Sequence, residues 1–350
     1  MVYRDNPDAC LPCPPIDPTH PDRDAALLDV VRQVVPSWAA TDEANVAVIS
    51  GGITNLLFHL TAPGSPPVLV RLYGAGTEVV IDRERENTLL AHLSAQGFAP
   101  PFHGRFTGGR VEGYLSGTRP LRADEMGSPR YRSLIAAAIR QLHSFPIAAA
   151  GLRPIPTLWD TLERWMSAAL ALSFTGDDAA RHAALELPRY AADLAALRDH
   201  FRHHIAPRPE AAGALRPVLA HNDLLSGNLL YSATDHAIRI IDYEYGACSY
   251  AAFDIANHFC EYAGFDSDFA RGFPSRADRD ALIAAYLGPS GDVTVFSDVV
   301  EFFVAADHLF WGTWAAIQAY HSPIDFDFMA YSRLRLAGFE LHRAWAGSGA

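Results

Sequence analysis

The stretch that decides the reading is Leu219-Ala-His221-Asn222-Asp223-Leu224-Leu225-Ser226-Gly227-Asn228-Leu229-Leu230-Tyr231, followed by Ala237-Ile-Arg-Ile-Ile241-Asp242. It runs apolar, polar, apolar, and then a second apolar strand delivers an acid. Asp223 and Asn228 are five residues apart. With Asp242 they set three oxygen-bearing side chains at the mouths of adjacent strands. A carboxylate can align a substrate hydroxyl and accept its proton. A neighbouring carboxamide and a second carboxylate can hold Mg2+ over a row of phosphates. Asp and Asn are also ordinary turn residues of a hairpin. The spacing to Asn228 and the strand-borne Asp242 favour the chemical reading, because H-x-D-L-x-x-x-N followed by a strand-end Asp is the layout of a phosphotransfer loop.

Composition bounds the rest. The chain has 350 residues, 49% apolar and 19% charged, a soluble globular composition with room for about two domains. All 28 basic residues are arginine. That excludes a Walker A lysine, a Schiff-base lysine and a lysine general base. The net charge of -12 argues against a nucleic-acid partner and suits a small cationic substrate. Four cysteines make no disulfide framework and fit a reducing compartment. Cys10-Leu-Pro-Cys13 is a lone CxxC, read either as a redox or zinc pair or as a chance pair in a loose N-terminus. No secretory h-region is visible, and the apolar stretch near 302–320 is broken by Asp307, His308 and Gln318. It reads as a buried helix with no membrane insertion, and the expected location is the cytoplasm.

Residues 1–21, with prolines 7, 12, 14, 15, 18 and 21, read as an extended tail; 22–115 as an N-terminal nucleotide-binding lobe; 116–350 as a helical C-terminal lobe carrying the loop and a substrate pocket. In the first lobe Asp24–Val35 has helical spacing. Val46–Ile49, Leu56–Leu60 and Val68–Tyr73 read as strands around a Gly-Gly turn and a turn at 63–67. Asp82 offers an N-cap to a helix stopped by Gly97 and Pro100, and short strands near 102–106 and 110–115 complete a small antiparallel sheet. Helices are expected at 130–143, 157–172, 178–203, 277–287, 297–320 and 327–345, around one β island, Val218 to Glu244.

His221-Asn-Asp-Leu-Leu-Ser-Gly-Asn228 and the run from Ile241-Asp-Tyr-Glu244 through Phe253-Asp254 to Cys260-Glu261 resemble the choline/ethanolamine kinase family. The similarity spans roughly residues 45–345. Val70-Arg-Leu-Tyr-Gly-Ala-Gly-Thr-Glu-Val-Val-Ile-Asp-Arg83 and Ile324-Asp-Phe-Asp-Phe328 lean toward its ethanolamine kinases. The resemblance implies an α+β, bilobal, protein-kinase-like fold shared with aminoglycoside phosphotransferases. It implies a small antiparallel-sheet lobe with one helix and a larger, mainly helical lobe. It implies Asp223 as catalytic base, and Asn228, Asp242 and Glu244 as Mg2+ ligands. His221 and Asp254 would support the loop. Ser50, Gly51, Gly52, Thr54 and Asn55 would cover the nucleotide, with Arg71 in place of the usual lysine and Glu86 as its partner. Tyr114 and Leu115 would lie where adenine docks. Glu261, Trp311, Trp314 and Tyr331 would form the amine pocket, where aromatic faces and a carboxylate suit a cation; Asp266 and Asp307 are further candidate acids. A core aromatic stripe is the other reading of the two tryptophans.

The expected activity is ATP-dependent phosphorylation of the ethanolamine hydroxyl, giving phosphoethanolamine, the first step of the CDP-ethanolamine route to phosphatidylethanolamine. A choline or dual kinase, an aminoglycoside-type kinase and a silent nucleotide-binding scaffold are the alternatives. The partners are a small amino alcohol and ATP; the oligomeric state is open, with a dimer allowed.

Overall fold

The computed structural model describes residues 9–49, 55–74, 76–289 and 291–343. Two compact units result: Met1–Thr118 with Ser322–Ile324, and Arg119–His321 with Asp325–Ala350.

The first unit holds β1 (Cys10–Leu11), α1 (Arg23–Val34), β2 (Asn45–Ile49), β3 (Asn55–Ala62), β4 (Ser65–Tyr73), α2 (Arg83–Ala95), β5 (Phe102–Phe106) and β6 (Gly109–Gly113). Its sheet has the order β1-β5-β6-β4-β3-β2, antiparallel except for β1, which pairs in parallel with β5. Residues 10–11 are therefore not loose tail. Leu11 is buried with the core, and both Cys10 and Cys13 are free thiols. The core stacks α1 on the sheet: Leu27, Val31 and Val34 meet Phe58, Leu60, Val68, Val70 and Val111, with Trp38 closing one end. β4 begins at Ser65, inside the expected turn. Its prolines 66 and 67 are tolerated because the β3–β4 register shifts there and the β4–β6 ladder starts only at Val68. Asp82 caps α2 by accepting from the Arg85 N–H at 3.1 Å.

β7 (Thr118–Pro120) starts on the last residue of the first segment, and the second unit continues with α3 (Ala123–Met126), α4 (Pro129–Ser144), α5 (Leu158–Leu170), α6 (Gly176–Ala183) and α7 (Leu187–His200). β8 (Pro217–Ala220), β9 (Leu229–Ser232), β10 (Ala237–Ile240) and β11 (Ala247–Tyr250) follow. Then come α8 (Ala251–Cys260), α9 (Phe269–Gly272), α10 (Arg276–Leu287), α11 (Val293–His321) and α12 (Phe328–Leu341). β8 pairs with β11 and β9 with β10, both antiparallel. The helix expected over 178–203 is two helices. Pro188 lacks the N–H a helix interior needs and sits in the first turn of α7, and Glu186 before it is left-handed, φ 53. α8, which follows β11 directly, was not expected as a helix at all. α11 is buried on nearly every face from Phe296 to Gln318, the pattern of a central core helix. Gly312 admits α12 at close range, since a Cβ there would meet the Leu336 side chain at 3.1 Å. Among the described residues no helix is long and apolar enough to cross a membrane.

Candidate active site

The loop between β8 and β9 carries His221, Asp223 and Asn228; the end of β10 delivers Asp242. Asn222 and Asp242 both have left-handed backbones, φ 65 and 66. Asn and Asp tolerate this better than other non-glycine residues. Asn222 is held there by donating to the Tyr245 carbonyl at 2.8 Å. The Asn228 amide donates to the Asp223 carbonyl at 2.9 Å and to its Oδ2 at 3.0 Å. His221 Nδ1 faces the Asp223 N–H at 3.3 Å and its Nε2 faces the Ile241 carbonyl at 2.9 Å. That assigns the proton to Nε2. Burial lowers the imidazole pKa, so the ring stays neutral and ties the loop to the strand carrying Asp242.

α8 holds the loop from below with three residues of one face. Asp254 accepts the N–H groups of His221 at 2.8 Å and Asn222 at 2.6 Å. Asn257 accepts the Leu224 N–H at 2.7 Å, and His258 Nδ1 meets the Leu224 carbonyl at 3.0 Å. Asp254 also meets His143 Nε2 at 2.8 Å, and His143 Nδ1 meets the Tyr286 hydroxyl at 2.9 Å. Burial opposes the Asp254 charge, but the hydrogen bond with His143 and the loop N–H groups outweigh it and its pKa falls. The loop backbone is thus pinned by the Asp254 carboxylate. Sequence reasoning found Asp254 but missed Asn257, His258 and His143. The i, i+3, i+4 spacing of Asp254, Asn257 and His258 is the signal that could have found the first two.

Asp223 is buried, and burial, then Glu261, Glu244 and Asp242, raise its pKa well above the usual carboxylate range. Asp242 and Glu244 each place a carboxylate oxygen within 4.8 Å of the other. Asn228 has spent its amide N–H on Asp223, leaving Oδ1 as an acceptor. Two carboxylates and a carboxamide oxygen are a hard donor set that fits Mg2+.

On the far side of the loop, Tyr245 stacks edge-on against Trp311 at 5.0 Å and Trp314 at 6.4 Å, and Trp314 against Phe328 at 5.7 Å. The indole N–H groups of Trp311 and Trp314 have no hydrogen-bond partner among the described residues. Tyr245 was not among the expected residues. Glu261 and Tyr331 come together on one guanidinium: Arg335 donates to Glu261 at 3.0 Å and to the Tyr331 hydroxyl at 3.2 Å. Asp307 is bound to the same arginine, and Asp266 is exposed.

Within the first unit, Ser50, Gly51, Gly52 and Thr54 lie outside the described residues; Asn55 is buried at the start of β3. Arg71 donates to Glu112 at 3.2 Å. Glu86, expected as its partner, accepts from Arg110 at 2.5 Å and Arg83 at 2.8 Å. Burial pushes Glu86 up, but Arg110, Arg83 and Arg71 outweigh it and hold its carboxyl at about 2. Arg110 and Glu112, both in β6, thus stand beside the expected pair, and Arg110 also reaches Glu112 at 2.6 Å. Tyr114 is partly exposed with its ring 4.0 Å from that of His59, and Leu115 is half-buried.

The choline/ethanolamine kinase family model matches residues 46–340. The chain is 33% identical to a probable ethanolamine kinase of Arabidopsis thaliana, over 94% of this chain and 86% of that protein. It is 31% identical to ethanolamine kinase 2 of Rattus norvegicus, over 94% and 84%. It is 30% identical to probable choline kinase 3 of Arabidopsis thaliana, over 91% and 93%. Among solved structures, Plasmodium vivax ethanolamine kinase superposes with a TM-score of 0.78 at 24% identity, covering 96% of this chain and 100% of that one. These likenesses show a kinase-like phosphotransferase fold, with the expected small sheet unit and larger helical unit.

Proposed function

The chain belongs to the choline/ethanolamine kinase family, and on that premise we propose that it transfers the γ-phosphoryl group of ATP to the hydroxyl of ethanolamine. The observation that carries the reading is the buried Asp223, bonded to Asn228 and followed by Asp242 and Glu244, whose carboxylates lie within reach of one another. Asp223 accepts the proton of the substrate hydroxyl, and its raised pKa brings it toward the range a general base needs. The hydroxyl oxygen then attacks the γ-phosphorus and ADP leaves. Asn228 holds Asp223 in orientation. Mg2+, when bound by Asn228, Asp242 and Glu244, neutralises charge on the phosphates. Arg71 supplies a fixed positive charge for the nucleotide, which no lysine is present to provide. His221 and Asp254 are positioning residues for the loop. Ser50, Gly51, Gly52, Thr54 and Asn55 cover the phosphates in this reading, and Tyr114 and Leu115 border the adenine.

Glu261, Trp311, Trp314, Tyr331 and the added Tyr245 recognise the amine. A primary ammonium donates three hydrogen bonds, and Glu261 offers it an anionic acceptor. The aromatic group of Tyr245, Trp311 and Trp314 also suits a trimethylammonium, which favours a dual choline/ethanolamine kinase as the second reading. A cytoplasmic location is part of this reading.

The test is ATP consumption with Mg2+ and ethanolamine, its mono- and dimethyl forms, and choline. A fall in kcat/KM with each methyl is expected; a rise toward choline selects the second reading. Asp223→Ala lowers kcat by roughly 10²–10⁴-fold; unchanged transfer in that variant refutes the mechanism.

A further inference from the structure

One buried hydrogen-bonded chain runs from the catalytic loop to the amine-side carboxylate. The Leu224 N–H, next to Asp223, donates to Asn257 Oδ1 at 2.7 Å. Asn257 Nδ2 donates to Asp307 Oδ1 at 3.0 Å. Arg335 Nη2 donates to Asp307 Oδ2 and to the Asp307 carbonyl, the latter at 3.3 Å. Arg335 Nη1 donates to Glu261 Oε1 at 3.0 Å and to the Tyr331 hydroxyl at 3.2 Å. Asn257 and Asp307 are fully buried, Arg335 is 1% exposed and Glu261 8%.

The charges in this chain do not cancel. Two carboxylates share one guanidinium, which leaves one negative charge in a dry interior unless a carboxylate takes a proton. The groups facing Glu261 are Arg335 and Tyr331 from α12, Asp307 from α11, its neighbour Cys260 on α8, and Asp223 of the loop. Arg335 is the one cation among them. Glu261 gives one oxygen to Arg335, and Oε2 carries no partner among the described residues.

We propose that Arg335 is a positioning residue for amine recognition. It fixes Glu261 through Oε1 and leaves Oε2 for the substrate ammonium. Through Asp307 and Asn257 the same arginine is bonded to the backbone beside Asp223, so the acceptor of the ammonium and the acceptor of the hydroxyl proton are set at a fixed separation. This rests on the ethanolamine reading. It assigns to Arg335, Asp307 and Asn257 a part that neither touching substrate nor filling the core describes.

The experiment measures KM for ethanolamine, KM for ATP and kcat separately in wild type, Arg335→Met, Arg335→Lys, Glu261→Gln and the double variant Arg335→Met/Glu261→Gln. Loss of a charge-assisted contact predicts that Arg335→Met raises KM for ethanolamine about tenfold or more, with KM for ATP within about twofold. Arg335→Lys restores part of the loss. The decisive reading is the double variant: if Arg335 acts through Glu261, removing it in the Glu261→Gln background adds no further rise in KM. Additive effects, or equal changes in both KM values, overturn the proposal. Should Arg335→Met not fold, Arg335→Lys against Glu261→Gln gives the same cycle, and full additivity there refutes it equally. A wild type inactive on every amino alcohol instead refutes the ethanolamine reading itself.

Discussion

At the scale of single residues, the site separates acids by what surrounds them. Asp254, fully buried, is held ionised by His143 and two loop N–H groups, whereas Asp223, also buried, faces three other acids and is pushed up. Glu261 lies between these cases. Burial raises it, Arg335 opposes, Asp307 adds to the rise, and the carboxyl stands at about 7 against an unperturbed 4.5. An acid whose folded pKa is raised stabilises the fold fully below 4.5, and that contribution is lost as pH climbs from 4.5 to about 7. Its size is up to about 3 kcal/mol. The ligand-free enzyme should therefore lose thermal stability across that window, and Glu261→Gln should flatten this part of the Tm–pH curve. Saturating ethanolamine should recover the loss at pH 7 in wild type only. A Tm–pH slope identical in the two proteins contradicts the assignment.

At the scale of elements, α8 does most of the positioning, because one of its faces grips the loop and its C-terminal end supplies Glu261. Asp254→Asn replaces an acceptor of two backbone N–H groups by a group that can also present N–H, so a donor meets a donor. The expected cost is about 3–5 kcal/mol of stability, with kcat lowered more than either KM; a scanning calorimetry trace and one kinetic series check both. α8 is also where sequence reading was weakest. Its residues, Ala251–Cys260, are apolar on every side except for Asp254, Asn257 and His258, so no helical stripe marks it out, and the strand β11 before it hides its start. α1, α2 and β3 were legible because each has one wet face, a cap or a proline stop. The loop acids and Asn228 were legible because their spacing is local. His143, Asn257 and Arg335 were not, since their partners lie 111, 50 and 74 residues away and only the packed core brings them together.

At the scale of the whole molecule, the proposed reading gives Arg71 of the first unit a contact with the nucleotide and Glu261 of the second a contact with the amine. A ligand at about 100 times its Kd adds about 2.7 kcal/mol to the protein that binds it. ATP with Mg2+ and ethanolamine should each raise Tm. Arg71→Met should remove most of the nucleotide shift and keep the ethanolamine shift, with Glu261→Gln doing the reverse; loss of both shifts in either variant contradicts the division of labour. The absence of lysine gives Arg71 a charge that persists at every working pH, so the alkaline limb of the rate profile does not report on it. The short strand β1 carries a different consequence. It lies along the outer side of β5 and pairs with Arg105 and Phe106, covering that end of the sheet margin. Chain trimmed back to the start of α1 would leave the main-chain groups of β5 uncovered next to an apolar layer, and such a margin recruits strands from other molecules. The short strand thus acts as a guard on solubility, and removing it should favour aggregation.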